Sequence, residues 1–171
     1  MEKLAGEFQS QISMIFERPL ALRNLYLCEA HSIEDLHLVI QPNSQRFCLL
    51  LLMDAGLINA DKVREAGAYL AELGMVYLCA WGPECENIED LMDEGTRRFN
   101  ETLGGNDVIM TTSHASESLE EALWYFVHSA FPTAGLTEDC TDWILGCVGE
   151  SGWASEIRRI AHDTIYLPPK D

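Results

Sequence analysis

The chain has 171 residues, 47% of them hydrophobic, and its 28 acidic and 11 basic residues give a formal net charge of −17. This length and composition suit a single domain with a sizeable core. The charge argues against direct binding to nucleic acid or an anionic membrane and favours a basic protein partner. The longest apolar run, residues 47–53, is too short to span a bilayer. The N-terminal sequence lacks the pattern of a secretory signal, so a cytoplasmic location is expected.

The first 45 residues predict an N-terminal helix followed by an irregular or strand segment. Apolar residues recur at helical spacing before Pro19, which indicates a helix ending near Arg18: Leu4, Phe8, Ile12 and Ile15 or Phe16. Residues 20–28 and 36–40 are apolar enough to be strands. Ser32 followed by Asp35 is also a helix-start pattern, so a short helix there is an equal alternative.

From residue 46 to 163 the sequence repeats one unit, an apolar strand followed by a turn and an amphipathic helix. Three strands are predicted at residues 46–53, 75–80 and 107–112. The first is apolar throughout, as expected of a strand buried on both faces of a parallel sheet. Residues 141–149 fit either a strand or a helix, and we favour a strand because it continues the repeat.

Capping residues mark the helix starts within these units. Asn59 or Asp61, Asn87 and Ser151 are candidate caps, and Ser118 with Glu121 forms a capping-box pattern. The alternation of strands and helices predicts a single α/β domain over residues 1–171, a sandwich with a mostly parallel, flavodoxin-like or Rossmann-like sheet.

Ligands of open parallel sheets bind outside the carboxyl ends of the strands. Four loops meet that condition, at residues 54–56, 81–85, 111–117 and 149–152. Their polar, aromatic and thiol residues are the crevice candidates for a ligand or partner: Asp54, Trp81, Cys85, Thr111, Thr112, His114, Glu117, Glu150 and Ser151.

Asp54 and His114 are the candidates whose side chains can act as an acid, a base or a ligand-orienting group. Asp54 follows the most buried strand, where a carboxylate can bind a ligand, although it can also bond the amides of its own turn. His114, in the loop after the third strand, is either a general base or an exposed loop histidine. Asp54, His114 and either Ser113 or Cys85 supply the residue types of a nucleophilic triad, but no G-x-S-x-G elbow is present.

Metal and phosphate signals are weak. The six cysteines include no paired CxxC framework, and a disulfide framework is not expected in a cytosolic protein. Residues 149–152 enter a helix N-terminus that can hold an anion, but Glu150 opposes it. No cofactor and no metal are therefore predicted. Trp81 either stacks on a ligand or covers the core.

Two stretches, residues 79–85 (CAWGPEC) and residues 108–126 (VIMTTSHASESLEEALWYF), resemble a small uncharacterised bacterial domain family of unknown function. The resemblance implies no activity and assigns no site residue.

The leading hypothesis is an acidic binding or regulatory module that acts on a protein partner through its crevice loops and acidic surface. Carboxylates cluster around one helix start and form a candidate docking face: Glu84, Glu86, Glu89, Asp90, Asp93 and Glu94. The alternatives are a small-molecule hydrolase or transferase that uses Asp54 and His114, and a nucleic-acid mimic. Whether the protein is an enzyme stays open.

Overall fold

The computed structural model describes residues 1–8, 22–104, 106–149 and 152–166. Their strands form one six-stranded sheet in the order β1-β2-β6-β3-β4-β5. The strands are β1 (Glu2–Phe8), β2 (Arg23–Ala30), β3 (Arg46–Met53), β4 (Met75–Trp81), β5 (Met110–His114) and β6 (Cys140–Val148). The helices are α1 (Leu36–Val39), α2 (Ala60–Leu73), α3 (Cys85–Asn100), α4 (Leu119–Ser129) and α5 (Trp153–Tyr166).

The predicted α/β fold with a mostly parallel sheet is confirmed. Only β1 and β2 pair antiparallel, and every other neighbouring pair is parallel. The favoured strand at residues 141–149 is also confirmed as β6. This strand lies between β2 and β3, so the last strand along the chain occupies the middle of the sheet.

Helices cover both faces of the sheet. On one face, α1, α2 and α3 pack side chains such as Leu36, Leu70 and Met92 into a core cluster with β3. On the other face, α4 and α5 contribute Phe126 and Ile157 to a second cluster. Both faces of β3 are covered, which matches its unbroken apolar run from Phe47 to Met53.

Local capping explains where two of the helices begin and end. The side chain of Asn59 accepts a hydrogen bond from the Lys62 amide at 3.3 Å, and Gly74 ends α2 with a φ of 109°. Ser118 and Glu121 form the predicted capping box of α4. The predicted cap Asn87 is wrong, because α3 already begins at Cys85, after Glu84 in a left-handed conformation with a φ of 60°.

The N-terminal helix prediction is wrong where the structure tests it. Leu4 and Phe8 lie in β1, an edge strand that pairs with β2, and their spacing of four residues fits one face of a strand as well as one face of a helix. The rest of that predicted helix falls in residues 9–21, outside the described residues. Of the two alternatives for the next segment, the short helix is correct for residues 36–39, and a capping box of Ser32 and Asp35 precedes it.

Candidate functional site

The crevice of this fold lies at the carboxyl ends of β2, β6 and β3. The chain leaves β2 and β3 for helices on one face, whereas it leaves β6 for α5 on the opposite face. When the segments that follow two neighbouring strands turn to opposite faces of the sheet, they leave a gap between the ends of those strands. Open α/β sheets bind their ligands in such gaps. The inserted position of β6 creates such a gap on both of its sides.

Two adjoining pockets occupy this gap. One, of about 390 Å³, is lined by His31, Asp54, Gly149 and two neighbouring residues. The other, of about 320 Å³, shares His31 and Gly149 with it and extends to Trp153 and Glu29. Because they share two residues, we treat them as one site and call it the β6 crevice.

Asp54 is the exposed carboxylate of the β6 crevice. Its amide donates to the carbonyl of Val148 at 3.2 Å, which ties the end of β3 to the end of β6. One carboxylate oxygen, Oδ1, accepts from the Gly56 amide at 3.2 Å. The side chain therefore stabilises its own turn and also lines the pocket, so the two roles proposed for Asp54 are compatible.

Gly149 lets the chain leave β6 beside Asp54. Its φ is +100°, and its amide donates to the carbonyl of Ala30 at 2.9 Å. A Cβ atom here would lie 3.0 Å from Cδ1 of Leu57 and 3.2 Å from Cβ of Asp54. Only glycine adopts this conformation without strain and leaves room for its neighbours.

A pair of tryptophans borders the crevice. Trp81, the last residue of β4, meets Trp153 edge to face with ring centroids 5.7 Å apart. The Trp81 indole Nε1 donates to the carbonyl of Glu117 at 2.8 Å, which fixes its orientation. Both side chains are half-buried, so each packs on the core and keeps an accessible part.

Glu29 and His31 are the other ionisable groups of the crevice. Glu29 binds Arg158 on α5 at 2.6 Å, so its charge is largely committed to that ion pair. His31 is exposed and directly follows β2. Asp54 is therefore the carboxylate best placed to attract a positively charged group.

A second polar cluster lies on β5 and the turn that follows it. Glu117 Oε2 bonds Nδ1 of His114 at 2.5 Å, and Nε2 of His114 lies 3.3 Å from the Thr112 hydroxyl. The His114 ring packs on Tyr125, whose hydroxyl bonds that of Tyr77 at 3.0 Å. A carboxylate on one ring nitrogen and a hydroxyl on the other is the geometry in which a histidine can act as a base.

This cluster changes the expected position of His114. The third strand begins at Met110 rather than at residue 107, so His114 ends β5 and is only 5% exposed instead of lying in a loop. The Thr112 hydroxyl also contacts Sγ of Cys79 at 3.4 Å. Burial raises the pKa of the Cys79 thiol to about 12, so this sulfur is a packed neighbour and not a thiolate nucleophile.

The remaining predicted site residues fall into three groups. Cys85 is 1% exposed and packs into the core, and Thr111 is half-buried on the face covered by α3. Glu150 and Ser151 lie outside the described residues. Asp54 and His114 are not brought together, because β4 separates β3 from β5 and neighbouring strands are about 4.8 Å apart.

The sequence interpretation placed Gly149 in a crevice loop but missed His31 and Trp153 as crevice residues. The signal that identifies both is the position of β6 beside β2, and that pairing is not encoded in any local pattern.

The described residues contain no cluster of three or more histidine, cysteine, aspartate or glutamate side chains suited to a metal ion. Among the helices of these same residues, none is long and apolar enough to cross a membrane. All six cysteines are unpaired and buried.

Together, the doubly covered sheet and the β6 crevice define an α/β domain with a strand-end binding crevice. The chain belongs to the family DUF7684, a domain of unknown function, whose pattern matches residues 26–164. The resemblance to an uncharacterised domain family is thus confirmed, and the bacterial origin stays a prediction. Neither the curated proteins nor the solved structures include a significant match to the chain.

Proposed function

We propose that this domain is a binding module whose β6 crevice accepts a basic side chain, lysine or arginine, from a partner protein. The observation that carries the proposal is that an exposed carboxylate, Asp54, and the indole of Trp153 line the two adjoining pockets of the β6 crevice. A carboxylate and an aromatic face are the two groups that attract a cation most directly.

The charge of the whole chain supports the same partner. A net charge of −17 attracts a basic segment over a distance and speeds its encounter with the crevice. Trp81 and Trp153 supply rigid apolar area with little entropy to lose, which is typical of residues that dominate binding energy. In this proposal the acidic surface steers the partner, and the crevice with its tryptophans holds it.

We further propose a cytoplasmic location for the module. Six buried thiols without a disulfide suit a reducing compartment. In this proposal the module regulates its partner by binding it, because a partner segment held in the crevice is not free to contact other molecules.

The test is calorimetric titration with oligolysine and oligoarginine peptides, with oligoglutamate as the negative probe, at low and physiological ionic strength. Asp54→Asn should weaken binding of the basic peptides about tenfold, or about 1.4 kcal/mol. Glu72→Gln is the matched control, because it removes one exposed carboxylate at the far end of α2. Equal losses in the two variants would mean diffuse charge attraction and would refute a specific crevice.

A second candidate function is a hydrolase or transferase activity at the β5 cluster, favoured by the Glu117–His114–Thr112 contacts. In that case His114 would accept the proton of the Thr112 hydroxyl, and Glu117 would orient the ring. Asp54 has no part in this candidate, because the side chains that hydrogen-bond His114 among the described residues are Glu117 and Thr112. Hydrolysis of an activated ester that is unchanged in Thr112→Val and His114→Gln would eliminate this candidate.

A further inference from the structure

The two lateral edges of the sheet differ in how they are protected. Edge strands usually carry charges, bulges or proline that prevent pairing with another chain. β1 carries Glu2 and Lys3, and its register against β2 shifts twice. β5 carries no acidic, lysine, arginine or proline residue and pairs with β4 without a register break.

Apolar side chains are exposed along this second edge. Met110 is 36% exposed, and Val108, just before the strand, is 40% exposed. Among the described residues, β4 is the only strand that pairs with β5. The outer side of β5 therefore offers unpaired backbone groups beside apolar surface.

We propose that β5 pairs antiparallel with β5 of a second copy of this chain, around a two-fold axis at Thr112. The axis is perpendicular to the sheet, and the pairing of the two β5 strands joins two six-stranded sheets into one sheet of twelve strands. Thr112 then lies opposite Thr112 of the second copy, and Met110 lies opposite His114. Threonine pairs are favourable across antiparallel strands, and a two-fold axis makes the interface self-complementary.

The helix layer leaves room for this arrangement. α3 packs against both β4 and β5, so its axis lies between these two strands, about half a strand spacing from β5 toward the centre of the sheet. With strands about 4.8 Å apart, the two α3 helices would run antiparallel about 10 Å from each other. That separation is the ordinary distance between packed helices, so the second copy would continue the helix layer.

One face of α3 points toward this edge. Glu89, Asp93 and Arg97 are spaced four residues apart and share a face of the helix. Asn100, three residues after Arg97, accepts the Ile109 amide at 2.9 Å, which places this face on the β5 side. The opposite side belongs to α2, because Glu94 bonds Arg64 there at 2.5 Å.

The charges on this face match those of a second copy. The hydrogen bond between Ile109 and Asn100 aligns β5 with α3, which run in opposite directions. Thr112 lies three residues after Ile109, about 10 Å along the strand, and Asp93 lies seven residues before Asn100, about 10 Å along the helix. The two-fold axis therefore passes near Asp93, and Arg97 of each copy faces Glu89 of the other. This complementarity, formed twice, identifies a second copy as the occupant of the edge. Asp93 would lie beside its own equivalent and oppose association.

Sedimentation equilibrium at physiological ionic strength tests the proposal. Arg97→Glu should weaken the dimer about tenfold, because it turns two attractions into two repulsions. Arg98→Glu is the matched control: it makes the same charge change at the next residue, on the side of α3 turned away from β5, and should have little effect. The double variant Glu89→Arg/Arg97→Glu should restore association, and Asp93→Asn should tighten it.

Circular dichroism of each variant separates lost pairing from lost folding. A chain that stays monomeric at all accessible concentrations would overturn the proposal. So would a dimer that responds equally to Arg97→Glu and Arg98→Glu, because that dimer would use another surface. Failure of the double variant to recover association would exclude the antiparallel arrangement of the α3 helices.

Discussion

Trp81 and Trp153 lie with their ring planes at 80°, and this contact joins the end of β4 to the first residue of α5. Both residues pack against the core cluster on the face that α4 and α5 cover, although α5 follows β6 and β4 lies beyond β3 in the sheet. The backbone carbonyl of Glu117 orients Trp81 by accepting a hydrogen bond from its indole Nε1. The tryptophan pair therefore connects the crevice to the β5 cluster.

The first prediction concerns Trp153. Trp153→Ala should lower the free energy of unfolding by about 2 kcal/mol, less than a fully buried tryptophan loses, because part of the side chain is already exposed to solvent. It should also weaken binding of oligolysine in the titration described above. Trp153→Phe keeps an aromatic face and should preserve most of both properties. Urea denaturation and calorimetry measure the two effects; a phenylalanine variant as weak as the alanine variant would deny the aromatic role.

The second prediction concerns Gly149. Gly149→Ala should destabilise the fold by about 1–3 kcal/mol, because a non-glycine residue at a φ of +100° is strained and its Cβ crowds Leu57 and Asp54. Gly104→Ala is the control, since no atom lies within 4 Å of a Cβ atom there. Thermal and urea unfolding compare the two. Similar stability of both variants would show that the backbone at Gly149 relaxes freely.

The third prediction concerns Arg23, which is 1% exposed and lies 4.0 Å from the Trp143 ring centroid. Burial lowers its pKa to about 10, because the charged form has lost its water. Its guanidinium donates to the Val127 carbonyl, and within the part of the chain that the structure describes it forms no ion pair with a carboxylate. Arg23→Met should leave the free energy of unfolding unchanged or raise it by up to about 2 kcal/mol.

Arg23→Ala serves as the comparison for that variant. Both variants remove the donor to the Val127 carbonyl, but only alanine also opens a cavity under Trp143, so Arg23→Ala should destabilise the fold by about 2 kcal/mol relative to Arg23→Met. If methionine proves as harmful as alanine, the guanidinium charge itself stabilises the core.

The fourth prediction concerns pH and His128. Burial lowers the pKa of His128 below its ordinary value of 6.5, so the folded protein binds this proton less readily than the unfolded chain. The stability that this group contributes is therefore present above pH 6.5 and is lost as the pH falls through the folded pKa. His128→Leu should flatten the pH dependence of unfolding below 6.5. An unchanged slope would assign that dependence to other groups.

Local sequence signals predicted the parts of this fold that depend on local physics. Residues 46–53 form β3 because a continuous apolar run suits a strand covered on both faces, and α4 starts at its capping box. β1 was missed because the four-residue spacing of Leu4 and Phe8 fits a helix face as well as one face of a strand. The crevice was only partly predicted: Asp54 follows from its place after a buried strand, whereas His31 joins it through the insertion of β6.

That insertion also determines the order in which the sheet can be completed during synthesis. β2 and β3 do not pair with each other, so a chain that ends before Cys140 holds two separate pieces, β1–β2 and β3–β4–β5. The last strand to leave the ribosome is the one that unites them. Such a long-range closing step is slow, and until it occurs two unpaired strand edges stay open to other chains. The unpaired edges of β2 and β3 are therefore most exposed to other chains just before β6 is released.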